Sequence, residues 1–116
     1  MTLGQMQRLF AKNVGLFLGW IYGQQGYEVT FDEAYRTKEQ AALNAVQGKG
    51  SANSLHCDRL AIDLNLFVNG VWQTQTEQYA RLGTAWKQIH PLNRWGGDFT
   101  KLKDGNHFSM EWQGRQ

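Results

Sequence analysis

The stretch at residues 60–68, followed at once by Asn69-Gly70 and Val71-Trp72, constrains the fold more than any other part of the sequence. Leu60, Ile62, Leu64, Leu66 and Val68 alternate with Ala61, Asp63, Asn65 and Phe67, which is the period of a strand with one face on a core. Asn-Gly closes two-residue hairpins because both of its residues tolerate positive φ. An antiparallel sheet is therefore expected, with Asp63 on the face turned away from the aliphatic layer.

Other segments supply that layer. Met6, Phe10, Val14, Phe17 and Ile21 fall on one helical stripe, with Gln5, Arg8, Lys12 and Gly19 off it. Arg8 and Lys12 ahead of the apolar residues 14–22 imitate an export signal. No small-x-small cleavage site follows, however, and the run is too short to span a bilayer, so a core-packing helix is expected. Residues 27–34 read as a strand. Thr37 caps a helix from residue 38 to about 46, with Gln40 in the capping-box place, and residues 48–53 form a loop. Residues 76 to about 89 form a second amphipathic helix with Tyr79, Leu82 and Trp86 on one side, ended by Pro91. Asp104-Gly105 is a turn, and residues 107–112 are a closing strand. The expected fold class is α+β, a small, mainly antiparallel sheet with helices packed on one face, in a single domain over residues 1–116.

Composition narrows the chemistry. Twelve Lys and Arg against ten Asp and Glu leave +2, with no basic excess to suit nucleic acid or an anionic membrane. A hydrophobic share of 41% with five Trp argues against disorder. The single Cys57 excludes an internal disulfide and a cysteine-rich zinc cage, so any metal site must use His and carboxylate.

Such a set is within reach. In the closing strand Phe108, Met110 and Trp112 form one face and His107, Ser109 and Glu111 the other. If this strand neighbours residues 60–68, Asp63 and His107 converge, and His56 lies in the loop that feeds the first strand. Two imidazoles and a carboxylate leave one zinc position open, the composition of a catalytic site. The competing metal is non-haem iron, whose first His and carboxylate are commonly near neighbours in sequence; His56 and Asp63 are well separated, which favours zinc. The plain alternative is an ordinary His–Asp hydrogen-bonded pair.

The stretch Ser54-Leu55-His56-Cys57-Asp58-Arg59-Leu60-Ala61-Ile62-Asp63-Leu64 resembles the S-x-H-x(6)-D pattern of the zinc D-alanyl-D-alanine carboxypeptidases and dipeptidases and of the phage L-alanyl-D-glutamate endopeptidases. Glu33-Ala34-Tyr35-Arg36-Thr37-Lys38-Glu39-Gln40 upstream, and Trp95-Gly96-Gly97-Asp98-Phe99 with Asp104-Gly105-Asn106-His107-Phe108 downstream, fit the family's order. Together they cover about residues 29–112. The resemblance implies a D,D-carboxypeptidase (hedgehog-like) zinc fold with His56, Asp63 and His107 as ligands. It implies Asp104 as general base, Arg36 as the group that stabilises charge on the scissile carbonyl, and Ser54 near the substrate. Each role has a physical basis. Zinc brings the pKa of its water towards about 7, a carboxylate can relay the proton to the leaving amine, and a guanidinium can stabilise the oxyanion.

Rival readings stand beside these. Arg36 could be a surface residue ahead of a helix. Asp104 could be only a turn former, with Glu111 the other candidate base. Asp98 either orients substrate at the site or caps a loop. His90 suits a charge at a helix C-terminus, Cys57 a small buried residue, and Lys49 and Ser51 a loop that either contacts substrate or faces solvent.

The resemblance implies a zinc-dependent peptidoglycan peptidase, a phage endolysin cutting an amide bond of the stem peptide or cross-link at an L-alanyl-D-glutamate or D-Ala position. It is expected to act as a monomer, without a wall-binding domain, nucleic-acid partner or stable membrane insertion. The expected location is the host cytoplasm before lysis and then the periplasm and wall. The alternatives are a D,D-carboxypeptidase or dipeptidase of the same fold, or a non-catalytic virion or wall-binding domain.

Overall fold

The computed structural model describes residues 1–116. Helix α1 (Leu3–Tyr22) is followed by β1 (Tyr27–Phe31), α2 (Lys38–Val46), β2 (Ala61–Val68), β3 (Val71–Trp72), α3 (Ala80–Ile89), β4 (Asn93–Trp95) and β5 (His107–Met110). Short 3-10 turns lie at Leu55–Asp58, Thr76–Tyr79 and Gly96–Asp98. The strands run in the order β1-β2-β5-β4, every neighbour antiparallel, with β3 folded back on the end of β2. Asn69 and Gly70 have φ of 51° and 80°, the doubly left-handed turn that matches the twist of a hairpin.

The alternation in β2 decides which face is covered. Leu60, Ile62, Leu64 and Leu66 are buried in one core with residues of α1 and α3, and Val68 is half-buried against it. Phe17 sits at the centre, its ring 5.1 Å from Trp86 and 4.9 Å from Phe108. Trp86 also ties the layers together: its Nε1 donates to the carbonyls of Arg94 at 3.0 Å and Ser109 at 3.1 Å, joining α3 to β4 and β5. Helix α2 starts at the expected cap, with Thr37 Oγ1 accepting from Gln40 N at 3.0 Å, and buries only Ala41.

Several expectations shift. On α1 the buried slot belongs to Asn13 and not to Val14, which is half-buried. Asn13 Nδ2 lies 3.6 Å from Met110 Sδ, so a soft acceptor lets an amide occupy the stripe. Strand β1 ends at Phe31, although the backbone still bonds to β2 through Asp32 N to Asp63 O at 2.9 Å and Asp63 N to Glu33 O at 2.7 Å. The segment at residues 76–89 splits into a 3-10 turn and α3, and β5 stops at Met110 while Trp112 turns into a bridge with Arg115. Strand β4 was not expected. No helix is long and apolar enough to cross a membrane.

Trp86→Phe keeps an aromatic ring in the core but removes the indole N–H that ties α3 to the carbonyls of β4 and β5. A loss of about 1–3 kcal/mol is expected in denaturant unfolding. A loss within about 0.3 kcal/mol would contradict the tie described.

Candidate metal centre and catalytic cleft

The pairing of β2 with β5 sets Asp63 directly opposite His107. Residues opposed across an antiparallel pair share a face, and His107 Nδ1 accordingly lies 3.3 Å from Asp63 Oδ1. His56 reaches the same oxygen from the 3-10 turn. Ser54 Oγ accepts from His56 N at 3.2 Å to start that turn, and Arg59, at φ 56°, ends it. His56 Nδ1 donates to the carbonyl of Ala34 at 3.2 Å, which leaves Nε2 directed at Asp63 Oδ1, 3.3 Å away. The two imidazoles meet edge to face, their centroids 5.2 Å apart.

One donor atom from each of His56, Asp63 and His107 lies within 4.8 Å of the others. Both histidines are buried, and Asp63 Oδ1 is buried without a well-directed hydrogen bond, as is His107 Nε2. An orphaned carboxylate oxygen between two imidazoles is costly by itself and is what a divalent cation satisfies. Two nitrogens and one oxygen fit zinc with a position to spare. Burial alone would raise the Asp63 carboxyl, but the closeness and charge of His107 and His56 outweigh it and bring the value down to about 2. Burial likewise opposes the charge on His56, and Asp63 overcomes it, so that imidazole is raised above its ordinary value.

Asp104 is placed by glycines. Trp95 lies between Gly83 and Gly97, where an added Cβ would come within 2.3 Å and 2.2 Å of its ring, and its Nε1 donates to Gly105 O at 2.7 Å. Gly96 O accepts from Asp104 N at 3.0 Å, Asp104 O accepts from His107 N at 3.1 Å, and a Cβ on Gly96 would sit 2.0 Å from Asp104 O. The Trp-Gly-Gly segment is therefore the mould that sets Asp104 relative to His107. The Asp104 side chain stands at the rim, where partial enclosure and then repulsion from Asp63 push its carboxyl above the ordinary range.

A cleft of about 810 Å³ lies over these residues, lined by Arg36, Ser54, His56, Asp104 and His107, with Lys49, Ser51, Lys103 and Arg115 around them. Five of the expected site residues thus line one cavity. Glu33 was missed: its Oε1 accepts from both Nε of Arg36, at 2.9 Å, and the neighbouring Nη2, and it lies 3.9 Å from His56 Nε2. Its only sequence signal is the helix-like spacing to Arg36, which does not separate it from any other acidic residue.

Other expectations are corrected. Asp98 is exposed, pairs with Lys87 at 2.7 Å and does not line this cleft, so a substrate role there has no support in the geometry. The 3-10 turn after β4 rotates it outwards. Glu111 pairs with Arg94 at 3.2 Å, beyond the end of β5, and is also outside the cleft. Just past the end of α3, His90 Nδ1 accepts from Leu92 N at 3.1 Å, which holds the turn into Pro91 and Leu92. Cys57 is half-buried instead of buried.

Residues 47–110 match the family model described as D-alanyl-D-alanine carboxypeptidase. The chain belongs to this family. The matched segment contains His56, Asp63, Asp104 and His107, with Arg36 and Glu33 upstream of it. The solved structure of the Serratia marcescens L-Ala D-Glu endopeptidase ChiX shares the fold of this D-alanyl-D-alanine carboxypeptidase family member. It has a TM-score of 0.74 and 21% identity, covering 88% of this chain and 77% of that one. Among curated proteins no sequence matches. The chain is thus a peptidase by family, with an α+β fold of the kind expected.

Two outcomes are expected. Zinc titrated into metal-free protein should bind at one equivalent and raise the melting temperature, and His56→Ala or Asp63→Ala should abolish both effects. Because the ligands must be unprotonated and His56 is raised, affinity should weaken as pH falls through a value above the usual histidine range. Binding unaltered by either substitution or by pH would contradict the assignment. Gly97→Ala, which forces Trp95 aside, should lower stability by about 1–3 kcal/mol while leaving the zinc stoichiometry intact, as measured by unfolding and metal analysis. Unchanged stability would show that Trp95 does not need that space.

Proposed function

We propose that this protein is a zinc peptidase that hydrolyses an amide bond in the peptidoglycan stem peptide or its cross-link. The observation that carries this reading is the convergence of His56, Asp63 and His107 beneath a cleft that also holds Asp104 and Arg36, in a chain of the D-alanyl-D-alanine carboxypeptidase family. When bound, zinc supplies Lewis acidity and brings the pKa of a coordinated water towards about 7.

The remaining chemistry falls to the chain. Asp104 takes the proton of the attacking water and returns it to the leaving amine. Arg36, held by Glu33, offers its free guanidinium N–H to the oxyanion that develops on the scissile carbonyl. The turn capped by Ser54 places His56, and the carbonyl of Ala34 holds its ring in the tautomer that leaves Nε2 free for a metal. Lys49 and Lys103 at the cleft suit a substrate that carries carboxylates, as an acidic stem peptide does, whereas Arg115 is paired with Asp58.

The bond is either an internal L-alanyl-D-glutamate linkage or one next to a terminal D-Ala. The description of the family model favours the second and the solved relative's name the first. A phage-lysin role, with the protein held in the host cytoplasm and then acting on the wall, forms part of the same proposal.

Purified wall peptides should be cut by the zinc-loaded protein, and mass analysis of the products identifies the bond. Asp104→Ala should lower kcat by about 10²–10⁴ and Arg36→Ala by about 10²–10³ with zinc content unchanged. Loss of turbidity in outer-membrane-permeabilised cells reads the lysin role. A zinc-loaded parent that cuts no wall peptide, or variants equal to a parent that does, would contradict the reading.

A further inference from the structure

A second hollow of about 330 Å³ adjoins the metal cleft and shares Lys103 and Asp104 with it. The two sides of Asp104 differ in chemistry. Beyond the shared Lys103, the metal cleft has Lys49, together with Arg36 held by Glu33 and Arg115 paired with Asp58. Away from the shared edge, the second hollow has no charged residue and is lined by amides and hydroxyls, among them Asn65, Gln73, Thr74 and Asn106.

The sheet explains why the hollow continues the site. Asn65 lies two residues after Asp63 in β2 and so shares its face. Trp72 is opposite Phe67, on that face again, and is 56% exposed although it is among the largest apolar side chains in the molecule. Asn106 precedes the ligand His107, and its Nδ2 donates to Asn65 Oδ1 at 3.4 Å, which leaves the side-chain Nδ2 of Asn65 and the side-chain Oδ1 of Asn106 open for a further partner. A flat indole beside neutral donors and acceptors suits a ligand with an apolar C–H face and a fringe of hydroxyl and acetamido groups. It does not suit a carboxylate, for which the cationic cleft is better equipped.

Peptidoglycan presents both chemistries in one molecule, since its acidic stem peptide hangs from an N-acetylated amino sugar. We propose that the hollow beside Trp72 is a subsite for that amino sugar, so that the substrate straddles Asp104 with its sugar end on the neutral shelf and its acidic peptide in the cationic cleft. The assignment rests on the peptidase reading above. It makes Trp72 a specificity-determining residue that takes no part in bond cleavage.

The test compares two soluble substrates, the free stem peptide and the same peptide carried on its N-acetylglucosaminyl-N-acetylmuramyl disaccharide. The parent should show kcat/KM higher for the glycosylated substrate by roughly three- to tenfold, the size of one aromatic contact, expressed mainly in KM. Trp72→Ala should remove the preference and leave the free peptide unaffected; Trp72→Phe should restore most of it. Equal rates on the two substrates in the parent, or a Trp72→Ala variant that keeps the preference or loses both activities alike, would overturn the subsite. Calorimetric titration of the zinc-loaded protein with the disaccharide-peptide separates the two claims. If neither substrate is cut the peptidase reading fails, while binding weakened by Trp72→Ala still supports the subsite and binding that is absent or unweakened overturns it.

Discussion

Antiparallel pairing of β2 with β5 places Asp63 opposite His107, and the two-residue period of a strand makes that placement depend on the aliphatic residues between which Asp63 sits. A slip of one residue would turn Leu64 and Ile62 to the cleft and drive a carboxylate towards Phe17, Trp86 and Phe108. The apolar layer therefore fixes the polar site. Once β2 is in register, the backbone bonds of Asp63 to Asp32 and Glu33 bring the chain past Ala34, whose carbonyl orients His56, and on to Arg36. The other end of the site follows from β5, because the glycine-lined seat of Trp95 delivers Asp104 just ahead of His107.

The centre itself does not hold the fold together. Two imidazoles and a carboxylate are drawn out of water, and one oxygen lacks a directed partner. Stability comes from the aromatic and aliphatic core, and the site draws on it. A bound cation reverses the sign of that local cost, which couples metal affinity to folding stability and to the protonation of His56.

The parts most legible in the sequence were those written in strict alternation or in strong turn chemistry. Strand β2, the Asn69-Gly70 hairpin and the shared face of Asp63 and His107 all follow from period two, and the Thr37 cap from its hydroxyl. Strand β4 carries too few residues for any period to show, with Arg94 between Asn93 and Trp95. Asn13 displaced Val14 because a neighbour distant in sequence, Met110, accepts its amide. Glu33 and Asp98 illustrate the same limit at the site. One clamps Arg36 and the other turns to Lys87, and only tertiary placement separates these two acidic residues.

X-ray absorption at the zinc edge of the loaded protein tests the central geometry most directly. The expected spectrum shows nitrogen and oxygen neighbours at about 2.0–2.2 Å with the outer scattering of two imidazoles. A shell containing sulfur from Cys57, or one without a pair of imidazoles, would contradict it.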